Sequence, residues 1–185
     1  MCAIWFPDMK AKTIAARPVI ALKAIKHSAF ASEETHCYQA SVYVDGKRFA
    51  TVRNSGCGGG DEVHPLSDNY DDVRELEKRI EETYDREPSR YFADGFQPTL
   101  ESICCDLVND HLREKDLRRR LRSKCLTIEM VDGNRAVFAY RCKPTPPNLQ
   151  ALLERTCVHH VLNLMPIKDA LAMVKRINDE EEARA

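Results

Sequence analysis

No charge of one sign dominates this chain, which tells against two classes of protein at once. Lys plus Arg number 28 against 29 Asp plus Glu, a formal net charge of −1. Nucleic-acid binders are usually basic overall and acidic DNA mimics strongly negative, so any charged site here has to be local. Also missing is an apolar run near the roughly 20 residues that span a bilayer. Met1 to Pro7 lacks the basic start, sustained apolar core and cleavage site of a signal peptide. A cytoplasmic protein without a membrane partner is expected. There its eight cysteines (Cys2, Cys37, Cys57, Cys104, Cys105, Cys125, Cys142 and Cys157) would be mostly reduced thiols, not a disulfide framework. No internal repeat of solenoid length occurs.

What is present is enough apolar residue, 43% of 185, for a real core in one ordinary domain. Val19 to Phe30 alternates imperfectly and reads as a strand. From His36 to Val44 the alternation is clear, with His36, Tyr38, Ala40, Val42 and Val44 facing one way. Asp45-Gly46 is a two-residue hairpin signal, and Lys47 to Asn54 returns as a third strand. Helices follow: Asn69 to Arg86, with Val73, Leu76, Ile80 and Tyr84 as its apolar stripe, and a longer one N-capped by Thr99. The second either runs through Leu117 and Leu121 or breaks near Lys115. Cys125–Met130 and Ala136–Arg141 flank a second hairpin turn, "VDGN". A short helix capped by Asn148, a strand within Thr156–Leu164 and a closing helix over Ile167–Ile177 complete the chain, ahead of a frayed acidic tail. Hairpins with helices grouped between them predict a single α+β domain over residues 1–185: a β-meander over about 17–65, a helical middle over 69–123, and a hairpin plus helices over 124–180.

The segment "RNSGCGGGDEVHP", Arg53 to Pro65, raises the main chemical question. A P-loop needs Lys and Ser/Thr after its last glycine and then a helix, but Gly60 is followed by Asp61, Glu62, Val63, His64 and Pro65. G-x-G-x-x-G matches at Gly56 and Gly58 and then meets Asp61 instead of glycine. Both nucleotide fingerprints fail, which leaves a looser nest of backbone N–H groups or a plain mobile loop closing a strand. Zinc wants four ligands in close pairs, and His36, Cys37, Cys57 and His64 form none. Cys157 and His159 share a strand face but are only two ligands. Neither a metal nor another cofactor is expected. Cys57 with His36 or His64 as base could form a nucleophile couple, but the flanks match no cysteine-protease signature, and no G-x-S-x-G elbow exists.

A second feature is "HLREKDLRRRLRSK", His111 to Lys124. On a helix, Arg113, Arg118, Arg119, Arg120 and Arg122 would surround Leu117 and Leu121 with positive charge, able to meet phosphates or an acidic protein face. The plain alternative is a solvated helix end, where cations favour the C-terminal dipole. Aromatic residues interleaved for base stacking are missing. The acidic stretch Asp71–Glu87 could pair with this face, within the molecule or in a homodimer.

Phe30–Cys37 ("FASEETHC"), Val44–Lys47 ("VDGK"), the N-x-G-x-G-G pattern at Asn54, Gly56, Gly58 and Gly59, and Asp106–Asp110 ("DLVND") together resemble small uncharacterised accessory proteins of tailed bacteriophages. The similarity covers about the first third of the chain and the central helix. This chain carries Cys57 where that family often has His. The resemblance implies a tool that redirects or blocks host machinery in the host cytoplasm. The leading expectation is therefore a non-enzymatic protein that binds and inhibits a host protein or complex, such as an antiviral defence component. Its binding surface would comprise a pliable loop, Asn54, Gly56, Cys57, Gly58, Gly59, Gly60, Asp61 and His64, together with the five arginines. Rival expectations are a nucleotide-signal sponge built on the loop, nucleic-acid binding through the arginines, and a cysteine-dependent enzyme.

Overall fold

The computed structural model describes residues 16–89, 91–182 and 184. The cysteine and signal-peptide readings at Met1–Pro7 lie outside them. Among the described residues the fold is α+β, with four α-helices and two antiparallel sheets of four and three strands. The chain divides into two compact units, Met1–Val108 and Asn109–Ala185. The two hairpins therefore belong to separate sheets.

In the first unit the strands β1 (Ile20–His27), β2 (Tyr38–Val44), β3 (Lys47–Asn54) and β4 (Glu62–Pro65) follow one another as an antiparallel meander. Alternation fixes which side of β2 is inside: Tyr38, Ala40, Val42 and Val44 are buried while Gln39 is exposed. His36 falls outside the strand. Asp45 and Gly46 both adopt positive φ, as a two-residue hairpin turn requires, and Asp45 also accepts the Val19 N–H at 2.9 Å. β1 is shorter than its sequence pattern implies, because a 3-10 turn, Ala29–Ala31, takes up the end of the run. Helix α1 (Tyr70–Thr83) begins at Asn69, whose side chain accepts the Asp71 N–H at 3.1 Å, and it buries Leu76 and Ile80. Helix α2 (Leu100–Ser123) is continuous through Lys115, and within the first unit it buries Leu100, Cys104 and Val108.

In the second unit β5 (Cys125–Val131) lies between β6 (Asn134–Tyr140) and β7 (Val158–Val161). Both faces of β5 are covered, which explains its unbroken burial from Cys125 to Glu129. Leu126 and Ile128 join a core with Leu117, Leu162, Ala170 and Ile177, contributed partly by α4 (Ile167–Glu182). On the opposite face Cys125 packs with Val161 and with Leu152 of α3 (Pro146–Leu153). Helix α3 starts two residues before the expected Asn148 cap. Thr145 is its N-cap, and Pro146 and Pro147 occupy the first turn, where a missing N–H costs nothing. Asn148 instead donates to the Lys143 carbonyl at 2.9 Å. The acidic tail continues α4 through Glu182, well past Ile177.

Asn163 ties this unit together, a role its sequence context does not signal. Its amide donates to the Leu121 and Lys124 carbonyls at 2.8 and 2.9 Å, closing the C-terminal end of α2, and its oxygen accepts the Leu126 N–H at 2.7 Å. Asn163→Ala removes all three bonds and is expected to cost about 2–3 kcal/mol. Urea unfolding of the variant checks this.

Candidate functional site

The glycine-rich segment between β3 and β4 is organised by Asn54, the last residue of β3. This side chain is 8% exposed and uses its full hydrogen-bonding capacity. Its Oδ1 accepts the Gly56 N–H and the Thr35 hydroxyl, both at 2.8 Å. Its Nδ2 donates to the Gly59 carbonyl at 3.0 Å and to Asp61 Oδ1 at 2.9 Å. Asp61, also buried, accepts from the Tyr38 hydroxyl through Oδ2. Burial, reinforced by the adjacent Asp61 carboxylate, pushes the Tyr38 phenol far above its ordinary range, so Tyr38 remains the proton donor.

Gly56 latches this loop to the segment before β2. Its carbonyl accepts N–H bonds from Glu33, Glu34 and Thr35 at 3.0, 2.9 and 3.2 Å. It sits at φ +90°, and a Cβ there would lie 2.1 Å from the Ala31 carbonyl oxygen. Neither the conformation nor the space suits any residue but glycine. The loop is therefore pinned at both ends and in its middle, not the pliable main chain its composition suggests.

Between this loop and the start of α2 lies a cavity of about 430 Å³. Its wall carries Thr35, His36, Tyr38, Asn54, Gly59, Gly60 and Asp61 on one side and Phe96, Thr99, Glu101, Ser102, Cys105 and Val108 on the other. The α2 side is set by a reciprocal cap: Thr99 Oγ1 accepts the Ser102 N–H at 3.1 Å, and Ser102 Oγ accepts the Thr99 N–H at 2.9 Å. Glu77 of α1 accepts the Leu100 N–H at 2.9 Å. Phe96 is held by paired backbone bonds to Glu87 at 2.9 and 2.7 Å. Two carboxylates, Asp61 and Glu101, belong to this wall, and among the described residues neither Lys nor Arg lines it. Behind the wall, burial and then the nearby Asp61, Glu77, Cys105 and Glu101 push the Cys104 thiol up to about 12, so it is an inert core residue. Burial likewise raises Glu77, against the Leu100 N–H and with help from Glu101.

The residues singled out in the sequence are thus sorted by the fold. Asn54, Gly59, Gly60 and Asp61 line the cavity, while Gly56 and Gly58 position the loop. Cys57 is exposed, its Sγ 3.9 Å from the Ser55 carbonyl. His64 sits in β4, 3.4 Å from the Tyr70 hydroxyl and 3.5 Å from Glu62. Those partners do not assemble a Cys57–His64 couple. Of the loop N–H groups, that of Gly56 is engaged by Asn54 Oδ1 and that of Gly58 lies 3.4 Å from Thr35 Oγ1. Arg113, Arg118, Arg119, Arg120 and Arg122 belong to the second unit. Arg118 pairs with Glu114, Arg119 with Asp116, and Arg113 with Asp110 at 3.7 Å, so much of that charge is balanced within the helix. Arg120 and Arg122 occupy its last turn, where the dipole favours cations. Thr35, Phe96, Glu101, Ser102 and Cys105 are cavity residues that the sequence alone does not single out. The Thr99 cap is legible there, and it places Glu101 and Cys105 one turn apart on a single face.

A separate polar network lies in the second unit. Glu129, 6% exposed, accepts from the Thr127 hydroxyl at 2.6 Å and the Tyr140 hydroxyl at 2.5 Å, while the Cys157 thiol approaches its other oxygen at 3.6 Å. Burial pulls this carboxyl upward, but the three hydrogen bonds and the nearby Arg155 outweigh it and hold it below its ordinary value of 4.5. A depressed folded value stabilises the protein above the unfolded value, and this contribution is lost as pH falls through the folded one. The stability gap between the native chain and Glu129→Gln is therefore expected to be largest near neutrality and to shrink below about pH 4. Unfolding free energies measured across that range check the sign.

Among the described residues, no three His, Cys, Asp or Glu side chains gather as a metal-ion site, and the seven described cysteines are free thiols. No described helix is long and apolar enough to cross a membrane. Comparisons with protein-family models, curated proteins and solved structures gave no match.

Proposed function

We propose that this chain is a recognition protein that binds a host protein or complex, with the cavity of the first unit as its principal contact, and acts by occupying a surface its target needs. The observation that carries this reading is a preformed concave site whose walls are already fixed. The loop side is held by Asn54, Asp61, Tyr38 and Gly56, and the helix side by the Thr99–Ser102 cap. A site rigid before binding loses little conformational entropy on complex formation, which favours affinity. The resemblance to phage accessory proteins supplies the biological setting, with an antiviral defence component as the target class. Affinity capture from infected cells tests it. A host protein enriched by the native chain and lost with Gly59→Trp, which places bulk beside the cavity, is the expected result. Equal enrichment by both chains, or none above background, counts against it.

One observation favours a second reading. Cys105 and His36 line the same cavity, which makes Cys105 the thiol a cysteine-dependent reading would place in this site. Unaltered biological effect in Cys105→Ala removes that alternative.

A further inference from the structure

The cavity of the first unit has two carboxylates in its lining. Asp61 is nine-tenths buried in its wall, and each of its oxygens accepts one protein hydrogen bond, from Asn54 and from Tyr38. A carboxylate offers about four acceptor positions, so capacity remains. Glu101 stands opposite, its Oε2 3.6 Å from the point where a Cβ on Gly60 would lie. Among the described residues no lysine or arginine lines the space, and its basic side chain is the imidazole of His36. An anion entering would meet two carboxylates. A cation would meet acceptors on both sides, and apolar surface from Phe96 and Val108 beside them.

We infer that this cavity takes an arginine side chain presented by a partner protein, its stem against Phe96 and Val108 and its guanidinium between Asp61 and Glu101. The inference rests on the reading of the chain as a protein-binding module and specifies the chemistry of the contact. Arginine fits better than lysine because its planar, weakly hydrated fork can donate to two carboxylates at once while its stem lies on apolar surface. At about 430 Å³ the space falls within the range of small-ligand sites and accommodates one extended side chain. The two carboxylates make a nucleotide phosphate the less favoured occupant of this cavity.

The test uses the isotope-labelled full chain titrated with N-acetyl-arginine methylamide and followed by amide shifts. Saturable shifts at Gly59, Gly60, Asp61 and Glu101, with Kd on the order of 1 mM, are expected for so small a probe. The neutral isostere N-acetyl-citrulline methylamide should bind at least about tenfold more weakly, and Glu101→Gln should weaken the arginine probe by about fivefold. Glu101 is exposed and bears no part of the loop latch, so that variant folds. Equal shifts with citrulline, shifts at these amides with inorganic phosphate, or no shifts with the arginine probe would each overturn the inference. A dimer in sedimentation that Glu101→Gln dissolves would assign the site to a second copy and overturn the partner. Loss of host capture with intact arginine binding would instead sink the functional proposal and leave the chemistry of the cavity standing.

Discussion

Gly56→Ala is expected to destabilise the first unit by about 3–5 kcal/mol, while Gly59→Ala, three positions on, stays within about 0.5 kcal/mol of the native chain. Both remove a glycine from one run, so composition alone predicts equal effects. The difference comes from position. At Gly56 the positive φ strains any L side chain, and the added methyl would press on the Ala31 carbonyl, a backbone atom that cannot rotate aside. Relief would pull the Gly56 carbonyl from the N–H groups of Glu33, Glu34 and Thr35. At Gly59 nothing lies within 4 Å of the place an added methyl would occupy, and φ is ordinary. Denaturant unfolding of the two variants, followed by circular dichroism, measures the contrast directly.

Asn54 carries the second large effect. Asn54→Ala leaves the Thr35 hydroxyl, the Gly56 N–H and one Asp61 oxygen without their partner in a buried setting. Such orphaned groups cost about 1–3 kcal/mol each when water cannot reach them. A total of about 3 kcal/mol is expected, since the cavity lets water replace part of the loss. Asn54→Asp separates the two halves of the role. It keeps an acceptor for Gly56 and Thr35 but turns a donor toward Asp61 into a second carboxylate. Two carboxylates side by side repel, so its penalty should exceed that of alanine at low ionic strength. A penalty no larger than that of alanine would mean that the Asn54–Asp61 bond does not form.

Much of the architecture is legible in local sequence signals. Alternation from Tyr38 to Val44, two Asp-Gly turns and the stripe through Leu76 and Ile80 each correspond to an element of the fold. β4 is not legible in this way. Glu62–Pro65 is four residues ending in proline, without a pattern of its own, and it becomes a strand by pairing with Ala50–Arg53. The site divides along the same line. Asn54, Gly59, Gly60 and Asp61 stand out because the glycine run draws attention to them. Phe96, Glu101 and Cys105 are brought to them by the fold, from more than 30 positions along the chain, and no single-sequence pattern links the two groups. The glycine run also suggests freedom. Two of its members are instead fixed by what surrounds them, Ala31 and Cys37 at Gly56 and Glu34 at Gly58.

The charged helix shows a different limit. Seven basic residues from Arg113 to Lys124 suggest an exposed electropositive face. Glu114, Asp116 and Asp110 lie three or four positions from Arg118, Arg119 and Arg113, a spacing that pairs them on one helix surface. Exposed pairs of this kind add little stability, but they do reduce the field a nucleic acid would meet.

Amide hydrogen exchange across residues 31–61 tests the central claim, that the glycine loop is a latched wall and not a mobile strap. The amides of Glu33, Glu34, Thr35 and Gly56 should exchange at least about 100-fold more slowly than in an unstructured peptide, because all four donate within the latch. Exchange of those four at unstructured rates, in a chain whose β2 and β3 amides remain protected, would contradict it.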